Sequence, residues 1–500
     1  MTTVHSRRPE PVSGLENSYA RLPGNFYARV DPTPVWKPRL LRLNRPLAEQ
    51  LGLDPEALAS DEGVTVLSGN RIAAGSEPLA MAYAGHQFGG FVPSLGDGRA
   101  VLLGEIVDAR SVRRDLHLKG AGRTPFSRGG DGRAPLGPVM REYVISEAMA
   151  AFGIPTTRAL AIIETGERVF RERVEPGAIL ARVAASHVRV GTFEYFHRRG
   201  DRDSVRTLAD YVIQRHYPHC AGSDNRYRAL LDEVIARQAD LIARWMLVGF
   251  IHGVMNTDNM AVSGETIDYG PCAFMDVYAA DTVYSSIDYG GRYAYNQQPR
   301  IAYWNLAQLA ECLLPLLDPN KAASSVREAL DAFAARFEAA FHAGLRAKIG
   351  LDGERDADTD LAFDLLHRMS RQDADFTNTF RALCDVAVEG PVDDREVRRQ
   401  FADPTVFDEW AVQWRKRLSE ESRGDRARHA AMRAVNPAFI PRNHRVQEAI
   451  NAATDGDGNL QPLEDLLTVI GSPFDDHPGL TQYALPPKPE EAVMQTFCGT

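Results

Sequence analysis

Residues 250–270, FIHGVMNTDNMAVSGETIDYG, indicate the fold most clearly. Apolar residues at helical spacing precede them, over 227–251, and predict a helix that ends where this segment begins. The runs NMAV and ETIDYG have the pattern of two short strands around a turn at Ser263 and Gly264, which predicts a β-hairpin. Such a hairpin would bring Asn259 and Asp268 together at its open end.

Asn259 and Asp268 are suited to hold a metal ion together. An amide oxygen and a carboxylate are hard ligands, and Mg²⁺ keeps its other positions for water and phosphate oxygens. A helix, a loop ending in Asn and then an Asp-aromatic-Gly triplet follow one another in the catalytic region of protein kinases. The segment therefore predicts a kinase-like site for a nucleoside triphosphate with Mg²⁺ or Mn²⁺. A second DYG begins at Asp288; Asp268 is preferred because a single hairpin separates it from Asn259.

One position departs from the kinase pattern HRDxxxxN. Aligned on it, the loop reads HGVMNTDN over 252–259, so Val254 stands where a kinase has its catalytic Asp. A valine cannot accept a proton, and Asp258 is the nearest carboxylate. Two interpretations stay open: Asp258 is the base from a new position, or the protein is a pseudokinase.

Upstream, Lys119 ends a predicted strand over 116–119, as the phosphate-binding lysine of a kinase does. It needs an acidic partner on the next element, a predicted helix over 138–152. That helix offers Glu142 and Glu147, which are separated by about 140° around the helix axis, so only one of them can face the strand.

Two glycine-rich loops and two arginines complete the predicted phosphate site. Glycines let a backbone approach phosphates closely, and arginines can converge on one phosphate. Ordinary solvated loops and arginines are the alternative. The residues concerned are Gly96, Gly98 and Arg99, Asp131 and Gly132 within 128–133, and Arg182 and Arg189.

The order of elements predicts an α+β protein with a kinase-like, two-lobed fold. Residues 1–190 read as a β-rich lobe, with an extended lead-in containing one short helix, glycine loops, strands and one long helix. Residues 191–500 read as a helical lobe carrying the catalytic loop, with helices over 322–349, 359–386 and 407–421 and a loop-like tail from residue 472. Ligands favour the cleft between such lobes.

Composition excludes several classes of protein. The net charge of −10 argues against a nucleic-acid partner, although a basic patch lies within 110–133. The five cysteines (220, 272, 312, 384 and 498) lack the spacing of a zinc site, and their small number is typical of a reducing compartment. No apolar run is long enough for a membrane span, and the first residues lack the pattern of a secretory signal. These features predict a cytoplasmic protein without a membrane partner.

Several long stretches resemble the selenoprotein O family of protein adenylyltransferases, once classed as pseudokinases. They extend over most of the chain: YAGHQFGGFVPSLGDGRA (83–100), LHLKGAGRTPFSRGGDGRA (116–134), MREYVISEAM (140–149), HGVMNTDNM (252–260), IDYGPCAFMD (267–276), GRYAYNQQPRIAYWNLAQLA (291–310), NPAFIPRNH (436–444) and the terminal CGT.

The resemblance implies a kinase-like fold in which ATP binds in a flipped orientation and AMP is transferred to Ser, Thr or Tyr of proteins; related members are implied to use UTP in the same way. It implies that Asp258 is the base, that Asn259 and Asp268 hold the metal, and that Glu142 pairs with Lys119. The residues implied to contact the nucleotide are Gly96, Gly98, Arg99, Lys119, Asp131, Gly132, Arg182 and Arg189. Cys498 would be the counterpart of a selenocysteine in eukaryotic relatives.

The residues alone leave the reaction open. A kinase that moves the γ-phosphate and a nucleotide-binding scaffold without catalysis both use such a pocket, and motif spacing does not show which phosphorus is attacked. A carboxylate at Asp258 beside the metal-binding Asn disfavours the scaffold. A disulfide between Cys272 and Cys498 that gates activity is a further hypothesis, with two unlinked thiols as its alternative.

Overall fold

The protein is described by a computed structural model that covers residues 10–386, 394–455 and 458–497. The first lobe consists of a twisted sheet, a small hairpin and four helices. Its strands are β1 (Tyr27–Arg29), β2 (Arg39–Leu43), β3 (Leu79–Met81), β4 (Gly85–Gln87), β5 (Gly90–Val92), β6 (Ala100–Val107), β7 (Arg113–Lys119), β8 (Ala134–Pro135), β9 (Arg158–Phe170) and β10 (Val174–Ala184). Its helices are α1 (Arg45–Gln50), α2 (Pro55–Ala59), α3 (Asp61–Leu67) and α4 (Leu136–Ala151).

The main sheet is antiparallel, in the order β1-β3-β6-β7-β10-β9-β2, with β8 paired to β10. Side chains alternate between its two faces. On one face, Ile162 and Leu180 pack in the cluster that contains α4. On the other, Ile163 and Ile179 pack in the cluster formed by α1, α2 and α3. Burial on both faces makes this sheet a rigid support for the side chains at its ends.

The second lobe is helical. Its helices are α5 (Val190–His197), α6 (Arg202–His216), α7 (Arg226–Leu247), α8 (Gln298–Leu313), α9 (Ala322–Lys348), α10 (Asp356–Arg371), α11 (Phe376–Val386), α12 (Arg395–Arg398), α13 (Pro404–Leu418), α14 (Asp425–Arg433), α15 (Asn443–Thr454) and α16 (Gln461–Gly471). Two short strands, β11 (Phe250–Ile251) and β12 (Ala273–Phe274), pair beside the catalytic loop. The predicted α+β, two-lobed fold is confirmed.

The last two helices return to the first lobe. Helices α15 and α16 pack on α4, where Arg141 Nη1 donates to Asn443 Oδ1 at 2.7 Å. Arg42 of β2 forms an ion pair with Glu464 of α16. The chain therefore closes over α4, the helix that carries Glu142. The division at residue 190 stays a prediction.

Several predicted boundaries are wrong for local reasons. The helix predicted over 227–251 ends at Leu247, because Gly249 adopts a left-handed backbone (φ +72°) that leads into β11. The helix predicted over 359–386 is two helices: Asp373 (φ +52°) ends the first, and the Asp375 side chain accepts from the N–H of Asn378 at the start of the second.

The lead-in contains three short helices instead of the predicted one. Each begins with a side chain that accepts a backbone N–H: Asn44, Asp54 and Ser60 are the N-caps of α1, α2 and α3. The tail matches its prediction more closely. Over 472–497 it contains one 3₁₀ segment, Pro478–Ala484, and is otherwise irregular.

The hairpin predicted around Ser263 and Gly264 is wrong. The turn is present, since Gly264 N donates to Ala261 O at 3.2 Å. Its two arms pair with other partners: Ala261 pairs with Arg189 and Thr266 with Thr156, residues that flank the main sheet. The arms satisfy their backbone groups against the first lobe, which ties the catalytic loop to it.

In the described part of the chain, none of the helices is both long and apolar enough to cross a membrane. The cytoplasmic location stays a prediction.

A buried lysine in the second lobe gives a stability prediction. Lys348 is 3% exposed, and its Nζ lies 4.3 Å from the ring centroid of Phe380. Among the described residues no carboxylate forms an ion pair with it, and burial lowers its pKa to about 7. In the unfolded chain a lysine titrates near 10.4. Between about pH 7 and pH 10 the unfolded chain therefore binds more protons than the native state, so this residue makes stability rise with pH in that window.

Lys348→Met is expected to raise the free energy of unfolding at pH 7 by about 1–3 kcal/mol, because it removes a buried amine whose protonated form has no ion-pair partner among the described residues. It should also flatten the rise in stability between about pH 7 and 10. Urea unfolding at several pH values measures both effects, with the exposed Lys416→Met as the control. A loss of stability in Lys348→Met would show that the cation–π contact outweighs the cost of burial.

Candidate active site

Between the lobes lies a cavity of about 530 Å³. Every site residue predicted from the sequence lines it. These are Gly96, Gly98, Arg99, Lys119, Asp131, Gly132, Glu142, Arg182, Arg189, Asp258, Asn259 and Asp268. These residues, spread over more than 170 positions of the chain, thus converge on one space.

Asp268 is the electrostatic centre of this cavity. Its Oδ1 accepts from Lys119 Nζ at 3.1 Å and from Arg182 Nη1 at 2.6 Å, and its Oδ2 accepts from Arg189 Nη1. Burial opposes ionisation, but Arg189, Lys119 and Arg182 outweigh it and hold the pKa of Asp268 well below its usual range. Asp268 also has a left-handed backbone (φ +61°), a conformation that costs free energy in a residue other than glycine.

Glu142 completes the ion cluster. Its Oε2 accepts from Lys119 Nζ at 2.5 Å and its Oε1 from Arg182 Nη1 at 3.2 Å. Glu147 instead pairs with Arg158 at 2.7 Å, outside the cavity lining. Only one of the two glutamates of α4 faces the strand, as helical geometry requires, and it is Glu142.

Asp258 has a different environment from Asp268. Its Oδ1 is buried and, among the described residues, has no hydrogen-bond partner. Its Oδ2 accepts from Gln87 Nε2 at 3.3 Å. Burial raises the pKa of this carboxyl to about 7, although Arg189 opposes the shift. Arg189 Nη1 donates at 2.6 Å to the backbone oxygen of Asp258, not to its carboxylate.

Two glycines make room for Asp258. A Cβ at Gly85 would lie 2.4 Å from Asp258 Oδ1, and a Cβ at Gly191 would lie 2.2 Å from Ala84 O. Strand β4 and the start of α5 therefore approach the catalytic loop more closely than any other residue type would allow.

A buried glutamate fixes the same loop from α5. Glu194 accepts from the Thr257 hydroxyl, and its Oε1 lies 2.5 Å from His86 Nδ1. The backbone N–H of His86 in turn donates to Thr257 Oγ1 at 2.7 Å. These bonds join β4, α5 and the residue before Asp258, so the position of the carboxylate is set by three elements.

The residues around Asn259 fit a divalent cation. Asn259 Nδ2 donates to Val254 O at 2.9 Å, which leaves the amide oxygen as the atom available to a metal. Asp268 supplies an ionised carboxylate in the same cavity. Within the described ranges no three His, Cys, Asp or Glu side chains cluster as a metal site. Asn259 and Asp268 could supply two oxygen ligands to a cation such as Mg²⁺, which keeps its other positions for water and phosphate oxygens.

The alternative, Asp288, has a structural role. Its carboxylate accepts from the backbone N–H groups of Arg292 at 2.9 Å and Tyr293 at 2.8 Å, and it does not line the cavity. The second DYG is therefore a turn.

The glycine loops form one wall of the cavity. Gly96 (φ +66°) packs against the Phe126 ring, and Gly132 (φ +68°) lies under the carbonyl of Gly122, where a Cβ would come within 2.0 Å. Asp131 is at the open edge, held by Arg171 at 2.9 and 3.0 Å. Its charge is thus paired with an arginine instead of facing a phosphate directly.

Comparison with known proteins agrees with this geometry. Residues 13–471 match the family model described as "Protein adenylyltransferase SelO". The chain belongs to the SelO family. It is 60% identical over 488 residues to a "Protein nucleotidyltransferase YdiU" of Rhodopseudomonas palustris (strain BisB5), and 61% identical to a protein of the same name from Bradyrhizobium sp. (strain ORS 278). Each alignment covers 97% of this chain and 99% of the relative. The predictions of the family and of a nucleotidyltransferase are confirmed.

Three cavity residues of this SelO-family site were missed from the sequence. Gln87 contacts the Asp258 carboxylate, Arg171 holds Asp131, and the Tyr83 ring lies 4.6 Å from the Arg189 guanidinium. Tyr83 and Gln87 lie in the stretch 83–100 that carries the resemblance, which was the available signal. The sequence contains no such signal for Arg171, because this residue reaches the cavity only through the folding of the β9–β10 hairpin.

The predicted pairing of Cys272 with Cys498 stays a prediction, because Cys498 lies outside the described residues. Cys272 is buried, four residues after Asp268.

Proposed function

We propose that this protein transfers AMP from ATP to the hydroxyl of Ser, Thr or Tyr in other proteins and releases pyrophosphate. The observation that carries the proposal is the contrast between two carboxylates in one cavity. Asp268 is surrounded by three cations and stays ionised, whereas Asp258 is buried beside Gln87 without an ion-pair partner among the described residues. When the environments of two carboxyl groups push their pKa values apart in this way, the ionised group serves to stabilise charge and the other group serves to transfer protons.

In the proposed reaction, Asp258 accepts the proton of the attacking hydroxyl. The oxygen of that hydroxyl forms a bond to the α-phosphorus of ATP, and the bond from the α-phosphorus to the oxygen bridging to the β-phosphate breaks. Pyrophosphate takes the electron pair. The proton stays on Asp258 until the product leaves.

Lys119, Arg182 and Arg189 stabilise the charge that develops on the leaving pyrophosphate. In the structure these three side chains bind the Asp268 carboxylate, so they are arranged around one anionic group at the centre of the cavity. Mg²⁺ or Mn²⁺, when bound, would neutralise phosphate charge, with Asn259 and Asp268 as its protein ligands.

ATP is the proposed donor, with UTP as the alternative that the family resemblance implies. The family description, which specifies adenylyl transfer, supports ATP. Val254 supports an attack that differs from that of a kinase: it lines the cavity at the position of the usual catalytic Asp and cannot take a proton.

Tandem mass spectrometry tests the acceptor chemistry. Incubation with ATP and Mg²⁺ should add the mass of one AMP moiety to a Ser, Thr or Tyr of the protein itself or of an added protein. Competition with equimolar UTP should leave AMP as the main adduct. A phosphate adduct in place of AMP would reject the proposal.

A further inference from the structure

Three large apolar side chains are exposed at the mouth of the active-site cavity. Phe88 is 36% exposed, Ile287 is 55% exposed and Phe497 is 61% exposed, and all three line the cavity. They come from the β4–β5 hairpin, the segment before α8 and the C-terminal tail. Single exposed apolar residues are ordinary, but here three from distant segments of the chain line one opening. We call these three residues the apolar rim.

Buried polar contacts hold two segments of the rim together. Thr496, which is 2% exposed, donates its N–H to Tyr284 O at 2.8 Å and accepts from Ser286 N at 3.1 Å. Its hydroxyl donates to Pro271 O at 2.8 Å, three residues after Asp268. The tail is thus paired with the segment that carries Ile287, and Phe497 and Ile287 each follow this pairing directly.

Phe88 is fixed independently. Its backbone N–H donates to Asn256 Oδ1 at 3.1 Å, and its ring lies 5.0 Å from that of Tyr293. Its backbone is left-handed (φ +51°), which is unfavourable for an aromatic residue. The contacts with Asn256 and Tyr293 therefore hold Phe88 in place although its backbone conformation costs free energy.

We propose that the apolar rim docks the substrate polypeptide and selects hydroxyl residues that have a large apolar neighbour. This inference rests on the proposed function, because an acceptor hydroxyl must cross the mouth of the cavity to reach Asp258. Tyr289 is 94% exposed on the same segment as Ile287 but outside the cavity lining. A polypeptide can contact this side chain, and a ligand confined to the cavity cannot.

The position of the charges favours a polypeptide over the nucleotide base at the rim. Arg182 and Arg189, which the triphosphate requires, are each 2% exposed, whereas the rim residues are open to solvent. A polypeptide would cover the rim from outside and remove these side chains from water, which is the source of affinity in such contacts.

The test compares Ile287→Asp, Phe497→Asp and the double variant with Leu485→Asp. Leu485 is 56% exposed in the irregular tail and does not line the cavity, so it matches the chemical change without touching the rim. Phe88 is left unchanged because its backbone binds the catalytic loop. The acceptors are two synthetic peptides with one Ser each, flanked by Leu and Phe in one and by Gly and Asn in the other.

In the double variant the KM for the Leu/Phe peptide should rise at least about tenfold, as for loss of a contact worth one hot-spot residue. The KM for the Gly/Asn peptide should change less than about threefold, and calorimetric ATP affinity should match the wild type. Leu485→Asp should match the wild type throughout, and thermal unfolding checks that all variants fold.

Equal KM values for the two peptides in the wild type would overturn the proposal. So would a loss of ATP affinity with an unchanged peptide KM, which would assign the rim to the base. If the wild type adds AMP to neither peptide and to no other protein, the proposed function fails and the docking proposal with it. AMP transfer that ignores the rim variants overturns the docking proposal alone.

Discussion

Asp258→Asn is expected to lower the rate of AMP transfer by about 10² to 10⁴ while ATP and metal binding persist. The amide has the size of the carboxylate and can still contact Gln87, but it cannot accept the proton of the attacking hydroxyl; general bases contribute a factor of this order. The rate is measured with saturating ATP and a protein acceptor, and the affinity for ATP by calorimetry.

Glu265→Gln is the matched control. Glu265 is also a carboxyl whose pKa burial raises to about 7, with 11% of its side chain exposed, but it lies outside the cavity lining, where it accepts from Ala185 N at 2.9 Å. Its neutral variant should transfer AMP within about threefold of the wild type. If Asp258→Asn loses ATP and metal affinity to the same extent as transfer, Asp258 is chiefly a metal ligand.

Asp268→Ala is expected to abolish metal-dependent ATP binding and transfer. The carboxylate is the only ionised group assigned to the metal, and it lies at the contact point of Lys119, Arg182 and Arg189. Its removal leaves buried cations without their shared partner, which typically costs about 3–5 kcal/mol of stability. Activity and chemical denaturation are therefore measured on the same sample.

Asp268→Asn separates the two effects, because it keeps the side-chain volume and one acceptor oxygen. It should fold better than the alanine variant and still fail to bind ATP in a Mg²⁺-dependent way. Asp288→Asn is the control, since Asp288 caps a turn outside the cavity lining. Wild-type turnover by Asp268→Asn would move the metal role to another residue.

The local sequence pattern predicted those parts of the site that depend on a single helix or strand. The spacing of Glu142 and Glu147 on one helix shows that only one can face Lys119, and the resemblance selects Glu142, the glutamate that lies 2.5 Å from the lysine. Lys119 ends β7, as the strand pattern indicates. The two lobes were likewise predictable, because hydrophobic periodicity changes along the chain from strand-like to helical.

Pairing between distant segments was not predictable from the same rules. The arms around Ser263 have the pattern of a hairpin, yet each arm pairs with a segment near the main sheet. Which segment each arm pairs with depends on which nearby backbone groups of the first lobe need a hydrogen-bond partner. A local sequence pattern does not contain that information. Gln87 reaches Asp258 across 171 positions for the same reason.

The partner of Asp131 was also not predictable from the sequence. The glycine-rich segment indicated a phosphate-binding loop, and the loop does form a wall of the cavity. The partner of its carboxylate, Arg171, lies just beyond the end of β9, 40 positions along the chain from Asp131, and no local sequence pattern joins the two residues.

ATP labelled separately at the α- and γ-phosphates shows which phosphorus atom is attacked. With Mg²⁺ and an acceptor protein, the α-label should appear on protein and the γ-label in pyrophosphate, and Asp258→Asn should lose the signal. Transfer of the γ-label to protein with ADP as the by-product would rule out AMP transfer and identify a kinase.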